Sequence, residues 1–327
     1  ILKKIGVEDV TVVPEQEYPD GNFPTCPFPN PEIKEALAKG LELCNVVKPD
    51  LLLATDPDCD RVGIAVPSDN GYELFTGNEV GAMLLEYICS ERTKMGTMPA
   101  DPVAVKTIVT TDIAAKIAKE YGVKLIEVLT GFKFIGEQIG FLEDKGQEDR
   151  YIFGFEESYG YLAGSYVRDK DAVVASMLIC EMAAFYRTKG ISLIQARENM
   201  YKKYGVYVHS QSSFVCEGVT GMERMKEIMS DLRTNTPKTI GGLTVTRFED
   251  YLASTSVDTA TGAKTMLTLP KSDVLTFKLT DGASVIIRPS GTEPKIKAYY
   301  TTTGTTKAEA AALEKTISDD FAKILGF

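Results

Sequence analysis

The sequence predicts an α/β protein: two consecutive α/β domains of mixed sheet with covering helices, followed by a smaller α+β C-terminal domain. Helix-like and strand-like segments alternate through roughly the first two-thirds of the chain, and short strands then follow one another before a final helix. The 327 residues, 44% of them hydrophobic, are enough for two or three hydrophobic cores. The changes of pattern place the domains at 1–75, 76–207 and 208–327.

The first domain is expected to be organised around one helix over residues 30–47. Asn30 can cap this helix, Pro31 suits its first turn, and apolar residues recur along it at helical spacing. The alternation of helix and strand indicates a parallel or mixed sheet. Short apolar runs predict its strands at 10–13, 51–54 and 62–66.

The second domain repeats this rhythm with longer and more regular segments. Apolar residues at helical spacing predict its helices, and short β-branched or aromatic runs predict its strands. The predicted helices are 77–92, 112–122, 134–143 and 170–190, and the predicted strands are 102–110, 124–129 and 151–155.

The third domain has a different pattern, in which strands dominate and a helix closes the chain. This order is typical of an α+β domain rather than of repeated α/β units. The predicted strands are 206–216, 274–279, 284–288 and 296–301, and the predicted helices are 221–233 and 306–325.

The stretch ATDPDCDR (54–61) sets Asp56, Asp58 and Asp60 two residues apart, followed by Arg61. In an extended segment such side chains point the same way and repel each other unless a positive group neutralises them. Mg²⁺ and Ca²⁺ prefer oxygen ligands, so the pattern predicts a divalent cation. The flanking apolar runs place the cluster on a loop between strands, and the neighbouring Arg suggests an anionic ligand.

Two other interpretations of this stretch have to be considered. A solvated acidic turn is common in an acidic protein. A calcium loop of the D-x-[DN]-x-[DN]-G-x₅-E type is excluded, because Arg61 stands where that loop needs Gly and Pro67 stands where it needs Glu.

A second chemistry-bearing stretch, RPSGTEPKIK, lies between two predicted strands. Its Arg can grip phosphate through two hydrogen bonds, its hydroxyls can donate to an anion, and its Gly allows a tight turn. The alternative is an ordinary turn. The candidate phosphate-binding residues are Arg288, Ser290, Gly291, Thr292, Lys295 and Lys297.

Weaker candidates lie at the ends of predicted strands in the second domain. In GFEESYG, the adjacent Glu156 and Glu157 could accept hydrogen bonds from sugar hydroxyls, and Ser158 could donate or accept one. The alternative is a solvated loop, which has the same composition. A glycosidase pair is disfavoured, since adjacent carboxylates cannot easily flank one bond. AVKTIVTTD and LTGFKFIG each place a lysine, Lys106 and Lys133, with small polar residues at a strand end, where α/β sheets bind ligands. RDKDA (168–172) could hold a phosphate or form a surface ion-pair cluster.

Composition excludes several classes of protein. A net charge of −10 makes general nucleic-acid binding unfavourable, because phosphate backbones require clustered Lys and Arg. No apolar run approaches the roughly 20 residues of a membrane span. The six cysteines form no C-x-x-C pair, which indicates a reducing, cytoplasmic environment. With one histidine and no P-loop or G-x-S-x-G motif, hydrolase triads and P-loop NTPases are also disfavoured.

The stretches ATDPDCDR, LTGFKFIG, GFEESYGY with RDKDA, and RPSGTEPKIK occur in the order seen in the α-D-phosphohexomutase superfamily. Over essentially its whole length the sequence resembles a phosphoglucomutase/phosphomannomutase. The resemblance implies a four-domain enzyme in which a phosphoserine of the first domain donates its phosphoryl group to a hexose phosphate. It also implies Mg²⁺ as cofactor and glucose 1,6-bisphosphate as intermediate or activator.

The resemblance assigns roles to the candidates, position by position. It implies that three aspartates hold Mg²⁺ beside Arg61, that Glu156 and Ser158 bind sugar hydroxyls, and that the RPSGT stretch with Lys297 binds the phosphate that does not react. Lys106 and Lys133 would contribute acid–base or phosphate contacts. The implied metal ligands are Asp56, Asp58 and Asp60, and the implied phosphate ligands are Arg288, Ser290, Gly291 and Thr292.

One departure from the family pattern is evident: no T-A-S-H-N-P-like serine segment is found. We therefore expect the second to fourth domains of a mutase, which need the serine-bearing domain as partner and are inactive without it. The sugar stays open, with phosphopentomutase and phosphoglucosamine mutase as alternatives. A non-catalytic phosphosugar-binding protein and a Ca²⁺-stabilised structural protein are alternatives of other classes.

Overall fold

The computed structural model of the protein describes residues 1–218, 220–291 and 293–327. The chain forms two compact units, Ile1–Tyr204 and Gly205–Phe327. Among the described residues, no helix combines the length and the apolar composition needed to cross a bilayer.

The first unit alternates helices and strands. Its helices are α1 (Ala38–Val47), α2 (Gly77–Met95), α3 (Ile113–Tyr121), α4 (Phe132–Glu143), α5 (Ala172–Thr188) and α6 (Leu193–Tyr204). Its strands are β1 (Leu52–Thr55), β2 (Val62–Ser68), β3 (Gly71–Phe75), β4 (Val103–Thr107), β5 (Lys124–Val128), β6 (Tyr151–Glu156) and β7 (Gly160–Leu162). Short 3₁₀ turns cover Leu2–Ile5, Pro14–Gln16, Lys34–Leu37 and Glu148–Arg150.

These strands form two separate sheets. The order β5-β4-β6-β7 makes a mixed sheet, in which β4 is parallel to β5 and β6, and β7 is antiparallel to β6. The order β1-β2-β3 makes an antiparallel sheet, so the mixed sheet predicted for the first domain is not what these three strands form. The physical reason is the length of the connections: only antiparallel strands can be joined by a few residues.

Two expectations for the beginning of the chain are wrong. Residues 10–13 form no strand, and the side chains of Val10 and Val12 are exposed. Apolar β-branched residues do not make a strand without a neighbour to pair with. The α-helix expected from residue 30 begins at Ala38, because Asn30 caps a tight turn by accepting from the Glu32 N–H at 3.0 Å.

The mixed sheet is covered by helices on both faces. Helix α4 packs on β4 and β6 around the buried Phe132, Ile135 and Ile139. Helix α2 contacts β6 together with α3, α5 and α6, which explains why this helix is buried almost all round. A capping box fixes its start, since the Thr76 hydroxyl accepts from the Glu79 N–H while Glu79 accepts from the Thr76 N–H.

The second unit is an antiparallel sheet covered by two helices, as an α+β domain should be. The sheet order is β12-β11-β10-β13-β14-β15-β8, with β9 beside β10. Its strands are β8 (Val206–Val215), β9 (Thr239–Ile240), β10 (Leu243–Asp250), β11 (Thr255–Asp258), β12 (Lys264–Met266), β13 (Leu275–Leu279), β14 (Ser284–Pro289) and β15 (Lys295–Gly304). The helices are α7 (Gly221–Thr234) and α8 (Lys307–Leu325).

The core of the second unit lies between this sheet and the helices. Phe277 stands at its centre, with its ring 5.8 Å from the ring of Phe321 on α8. Alternate residues of β13, β14 and β15 contribute to this core, and residues between them, such as Thr276 and Ile286, are buried as well, so the central strands are covered on both faces.

Candidate functional site

The three predicted metal ligands lie together in the loop that joins β1 to β2. We call residues 56–61 the acidic loop. One carboxylate oxygen from each of Asp56, Asp58 and Asp60 lies within 4.8 Å of the others. Oxygen-only ligands at this separation suit a hard divalent cation such as Mg²⁺.

The acidic loop is curled, not extended as the sequence pattern suggested. Asp56 Oδ1 accepts hydrogen bonds from the backbone N–H groups of Asp60 and Arg61, each at 3.0 Å. Cys59 adopts a left-handed conformation, with φ of 57°, and its N–H donates to the Asp56 carbonyl. The carboxylates therefore converge because the backbone wraps around the Asp56 side chain.

Positive groups border the carboxylates without satisfying them completely. Lys170 Nζ lies 2.8 Å from Asp60 Oδ2, and Arg61 Nε lies 3.6 Å from Asp56 Oδ2. Asp60 Oδ1 is buried and has no hydrogen-bond partner among the described residues. Burial, and then the charges of Asp60 and Asp58, raise the pKa of Asp56. Arg61 Nε lies 3.7 Å from Asp60 Oδ1. A set of repelling carboxylates with a buried oxygen that accepts no hydrogen bond fits a bound cation.

A second loop lies directly beside the acidic loop. We call residues 156–160, between β6 and β7, the Glu–Glu–Ser loop. The Val62 N–H donates to the Tyr159 carbonyl at 3.1 Å, and Arg61 forms an antiparallel bridge with Gly160. These backbone contacts bring the predicted metal ligands and the predicted sugar ligands into one site.

Glu156 is a buried carboxylate of this site, with 7% of its surface exposed. Burial raises its pKa, while the charge of Lys170, a hydrogen bond with Ser158 and the charge of Arg61 act in the opposite direction. Glu156 therefore offers carboxylate oxygens that accept hydrogen bonds, and Ser158, two residues further on, offers a hydroxyl that can donate or accept. Such a pair can bind adjacent hydroxyl groups of a sugar.

Lys170 belongs to this site more clearly than the sequence indicated. It follows Asp169, with which it also pairs at 3.0 Å. The start of α5 fixes its position, because Asp171 caps that helix and the Ala172 N–H donates to the Cys59 carbonyl at 3.1 Å. The motif RDKDA therefore supports the acidic loop through its lysine. Its Arg168 instead donates to the Ser165 carbonyl and pairs with Glu143.

The surroundings of Lys106 favour a structural role over the predicted catalytic one. The side chain is fully buried, and Nζ lies 3.0 Å from both the Thr110 carbonyl and Asp112 Oδ1 and 2.5 Å from Glu127 Oε1. Burial acts to lower the pKa of Lys106, but the two carboxylates outweigh it and raise the pKa. The ammonium group is therefore charged and fully engaged inside the fold.

Lys133 is placed very differently. It is exposed in the first turn of α4, and its Nζ lies 4.9 Å from the centre of the Phe134 ring. An exposed ammonium on a flexible stem can reach an anionic ligand. Of the two lysines predicted from strand ends, Lys133 alone presents its charge to solvent.

The predicted phosphate-binding residues lie in the second unit, on the hairpin of β14 and β15. We call residues 288–297 the basic hairpin. Arg288 pairs with Lys297 across the two strands, and its guanidinium donates to the Tyr299 hydroxyl at 3.2 and 3.1 Å. The Ser290 N–H donates to the Lys295 carbonyl at 2.8 Å. Two cationic side chains therefore stand side by side at the base of the turn.

The tip of the basic hairpin is open. Gly291 is exposed, and a Cβ atom built on it would meet nothing within 4 Å. Its φ lies outside the left-handed region, so the turn does not require glycine here as the sequence suggested. Ser290 Oγ accepts from the Glu293 N–H at 3.3 Å, and Glu293 pairs with Lys295. The predicted ligand Thr292 lies outside the described residues.

Comparison with known proteins agrees with this fold and supports membership of the α-D-phosphohexomutase superfamily. The family models for phosphoglucomutase/phosphomannomutase match alpha/beta/alpha domain II at residues 1–70, alpha/beta/alpha domain III at 76–204 and the C-terminal domain at 233–319. The chain belongs to the phosphoglucomutase/phosphomannomutase family.

Curated relatives of this chain are named phosphoglucomutase. One from Staphylococcus aureus (strain MRSA252) is 37% identical over 300 residues, which are 91% of this chain and 53% of the relative. One from Staphylococcus saprophyticus is 35% identical over 301 residues, 92% of this chain and 54% of the relative. The chain spans about half the length of the curated relatives that it matches.

Solved structures support the fold. The open form of the exocytosis-sensitive phosphoprotein pp63/parafusin, a phosphoglucomutase from Paramecium, has a TM-score of 0.64 at 20% identity, over 90% of this chain and 50% of that chain. A putative phosphomannomutase from Thermus thermophilus has a TM-score of 0.58 at 20% identity, over 91% and 51% of the two chains.

Proposed function

We propose that this chain supplies the cation-, sugar- and phosphate-binding parts of a phosphohexomutase that interconverts glucose 1-phosphate and glucose 6-phosphate, the mannose phosphates, or both. The observation that carries the proposal is the curled acidic loop, whose buried Asp60 Oδ1 accepts no hydrogen bond from the described residues, joined by backbone contacts to the Glu–Glu–Ser loop. The name phosphoglucomutase of the curated relatives favours glucose as the sugar.

In this proposal Asp56, Asp58 and Asp60 hold Mg²⁺. When bound, the ion offsets negative charge on a transferring phosphoryl group, which is the main task of a protein in such reactions. Arg61 and Lys170 stay beside the carboxylates and add positive charge where a phosphate would approach. Their second task is to hold the acidic loop together when its own charges repel.

Glu156 and Ser158 are proposed to orient the sugar through its hydroxyl groups. Glu156 can accept a hydrogen bond and Ser158 can donate one, so together they match a neutral polyol that offers one donor and one acceptor. Lys133, exposed at the start of α4, is retained as a contact for an anionic ligand. Lys106 is not part of this proposal, since its three partners occupy it.

The basic hairpin is proposed to bind the phosphate group that does not react. Arg288 offers a planar fork for a phosphate, and Lys297 stands next to it across the strands. The half-buried Ser290 and the exposed Gly291 lie at the turn and are proposed to contact the same phosphate. Thr292 keeps the role that the family resemblance implies.

The chemical step is proposed to use a phosphoserine supplied by a serine-bearing domain outside these residues. The serine gives its phosphoryl group to one sugar hydroxyl, which forms glucose 1,6-bisphosphate, and the other phosphoryl group then returns to the serine. The chain by itself would bind hexose phosphate without turnover. Its six free cysteines support a cytoplasmic location.

The test is a calorimetric titration of glucose 1-phosphate into the purified chain with Mg²⁺ present. We expect saturable binding that weakens about tenfold or more in Arg288→Ala, because a charge-assisted hydrogen bond is worth about 1.5–3 kcal/mol. Arg247→Ala, which removes an exposed arginine of β10, is the matched control and should bind as the wild type does. Parallel titrations with mannose 1-phosphate and ribose 1-phosphate show which of the three sugar phosphates binds most tightly.

The results separate the alternatives. Equal binding by Arg288→Ala and wild type would remove the basic hairpin from the proposal. Preference for ribose 1-phosphate would indicate a phosphopentomutase. A folded wild-type chain that binds none of the three phosphosugars would contradict the proposed sugar-phosphate site in this chain.

A further inference from the structure

Glu157 lies between the two proposed sugar ligands, but its side chain makes different contacts. Glu157 Oε2 accepts a hydrogen bond from the Thr107 hydroxyl at 3.2 Å and from the Thr110 hydroxyl at 3.4 Å. The two hydroxyl oxygens are 2.7 Å apart, and both threonines are buried, with 0% and 3% of their surface exposed. The carboxylate is thus tied to the end of β4 and the turn that follows it.

The backbone of residue 157 is held from another direction by helix α2. A Cβ atom on Gly77, the first residue of that helix, would lie 2.2 Å from the Glu157 carbonyl oxygen and 2.7 Å from the Tyr159 nitrogen. The Asn78 side chain accepts from the Thr111 N–H at 2.9 Å, which joins the start of α2 to the same turn. The loop is therefore fixed on two sides.

This arrangement has an electrostatic cost that a neutral residue would avoid. Burial, and then the charge of Glu156, raise the pKa of Glu157 to about 7, and Glu32 adds a smaller repulsion. A carboxyl group kept in such surroundings implies a benefit elsewhere, because its replacement by an apolar residue would remove the repulsion. The contacts point to the orientation of the neighbouring side chains as that benefit.

We propose that Glu157 is a positioning residue: by bonding Thr107 and Thr110, it fixes the direction in which Glu156 and Ser158 face the sugar. The proposal rests on the proposed function, because it assigns those two side chains to sugar binding. Glu157 itself does not touch the substrate. Its loss should weaken recognition of the sugar while leaving recognition of the phosphate intact.

The test compares two ligands on the same variants, with Mg²⁺ present. Glu157→Ala should weaken glucose 1-phosphate binding about fivefold or more, the equivalent of one lost hydrogen bond, and leave inorganic phosphate binding at its wild-type value. Glu157→Gln keeps an acceptor oxygen and should restore most of the affinity. Glu137→Ala, an exposed position on α4, is the matched control.

A second variant and a second readout keep the test decisive. The double substitution Thr107→Val and Thr110→Val removes the two donors without changing side-chain shape, and it should reproduce the effect of Glu157→Ala. Hydrogen–deuterium exchange should become faster at residues 156–160 in both variants and stay unchanged in the second unit. This readout depends on the fold alone, so it does not require that glucose 1-phosphate binds.

The outcomes distinguish this proposal from the proposed function. If wild type binds glucose 1-phosphate and Glu157→Ala binds it equally well, Glu157 does not position the sugar ligands. If wild type binds no sugar phosphate, the proposed function fails. In that case hydrogen–deuterium exchange still tests the hydrogen bonds of Glu157 with Thr107 and Thr110. Unchanged exchange at residues 156–160 in the variants would overturn their role in fixing the loop, and faster exchange confined to that loop would support it.

Discussion

The acidic loop and the basic hairpin both connect neighbouring antiparallel strands, yet they are held in place differently. The acidic loop is fixed by Asp56 from within, by Tyr159 through Val62, and by the start of α5 through Cys59. The basic hairpin depends on contacts near its base, including the Arg288–Tyr299 hydrogen bonds, and its tip at Gly291 is open.

The difference follows from the charges that each loop carries. Three carboxylates within 4.8 Å repel one another, so they stay together only when neighbouring elements restrain the backbone. The cations of the basic hairpin lie at the base of the turn, and Glu293 pairs with Lys295 between them. Three like charges within a few ångströms therefore need a rigid surround, whereas charges spread along a hairpin, with one ion pair among them, can rest on a few contacts.

The largest effect is expected from adding one methyl group against the Glu–Glu–Ser loop, which holds the acidic loop, and one at the tip of the basic hairpin. Gly77→Ala would push a Cβ into the Glu157 carbonyl, and we expect a loss of about 3 kcal/mol in the free energy of unfolding. Gly291→Ala meets open space and should change it by less than about 0.5 kcal/mol. Chemical denaturation of both variants measures the difference, and equal losses would remove the proposed contrast.

A second pair of substitutions sharpens the comparison within the first unit. Lys106→Ala should lower the free energy of unfolding by about 2 kcal/mol, because it empties a buried position and leaves the Thr110 carbonyl unpaired. The effect is limited because Asp112 and Glu127 can reach solvent. Lys133→Ala, at an exposed position, is the control and should be nearly neutral. A neutral Lys106→Ala would contradict the structural role.

The pH dependence of stability gives a third prediction. The pKa of Glu157 is raised to about 7, above its value in the unfolded chain, so the folded state binds its proton more tightly. The stabilisation that this bound proton gives the folded state is fully present below about pH 4.5 and is lost as the pH rises through 7. Glu157→Gln should therefore be more stable than wild type at pH 8, by about 1–2 kcal/mol relative to their difference at pH 5.

Denaturant titrations at those two pH values measure this difference. Glu137→Gln, on the exposed face of α4, provides a control that should leave the pH profile unchanged. Parallel profiles for Glu157→Gln and wild type would mean that the Glu157 carboxyl does not titrate in this range.

The smallest effect is expected from the metal ligands. Asp58 is exposed, so Asp58→Asn should slightly raise the melting temperature of the metal-free chain by relieving repulsion. The same variant should lose most of the stabilisation by Mg²⁺, which amounts to about 1.4 kcal/mol at a concentration tenfold above Kd. Asp69→Asn, in the turn between β2 and β3, is the control. An equal stabilisation by Mg²⁺ of wild type, Asp58→Asn and Asp69→Asn would argue against the acidic loop as the Mg²⁺-binding site.

Much of the fold could be predicted from periodicity. The segments 112–122 and 124–129 correspond closely to Ile113–Tyr121 and Lys124–Val128, because local apolar spacing determines which face is buried. Helix α6 and strands β10 to β12 were not predicted. Their sequences mix polar and apolar residues, and their burial depends on partners that are distant in the chain.

The same limit applies to the site. The spacing of Asp56, Asp58 and Asp60 predicted the cluster, because all three ligands come from one short segment. Lys106 could not be assigned in this way: a lysine at a strand end looks the same whether it faces a ligand or the interior. Its partner Glu127 lies on a different strand, and only the paired sheet brings the two together.

The hydrogen bond from the Val62 N–H to the Tyr159 carbonyl joins the two loops through backbone atoms alone. Such a bond does not depend on which side chains the loops carry, apart from the exclusion of proline at the donor. Substitutions at exposed loop positions such as Asp58 can therefore change the groups that the loops present while this bond stays, whereas Asp56 and Glu157 hold the loops through their side chains. The chain thus combines a frame of main-chain bonds with a few side chains that complete it and others that can vary freely.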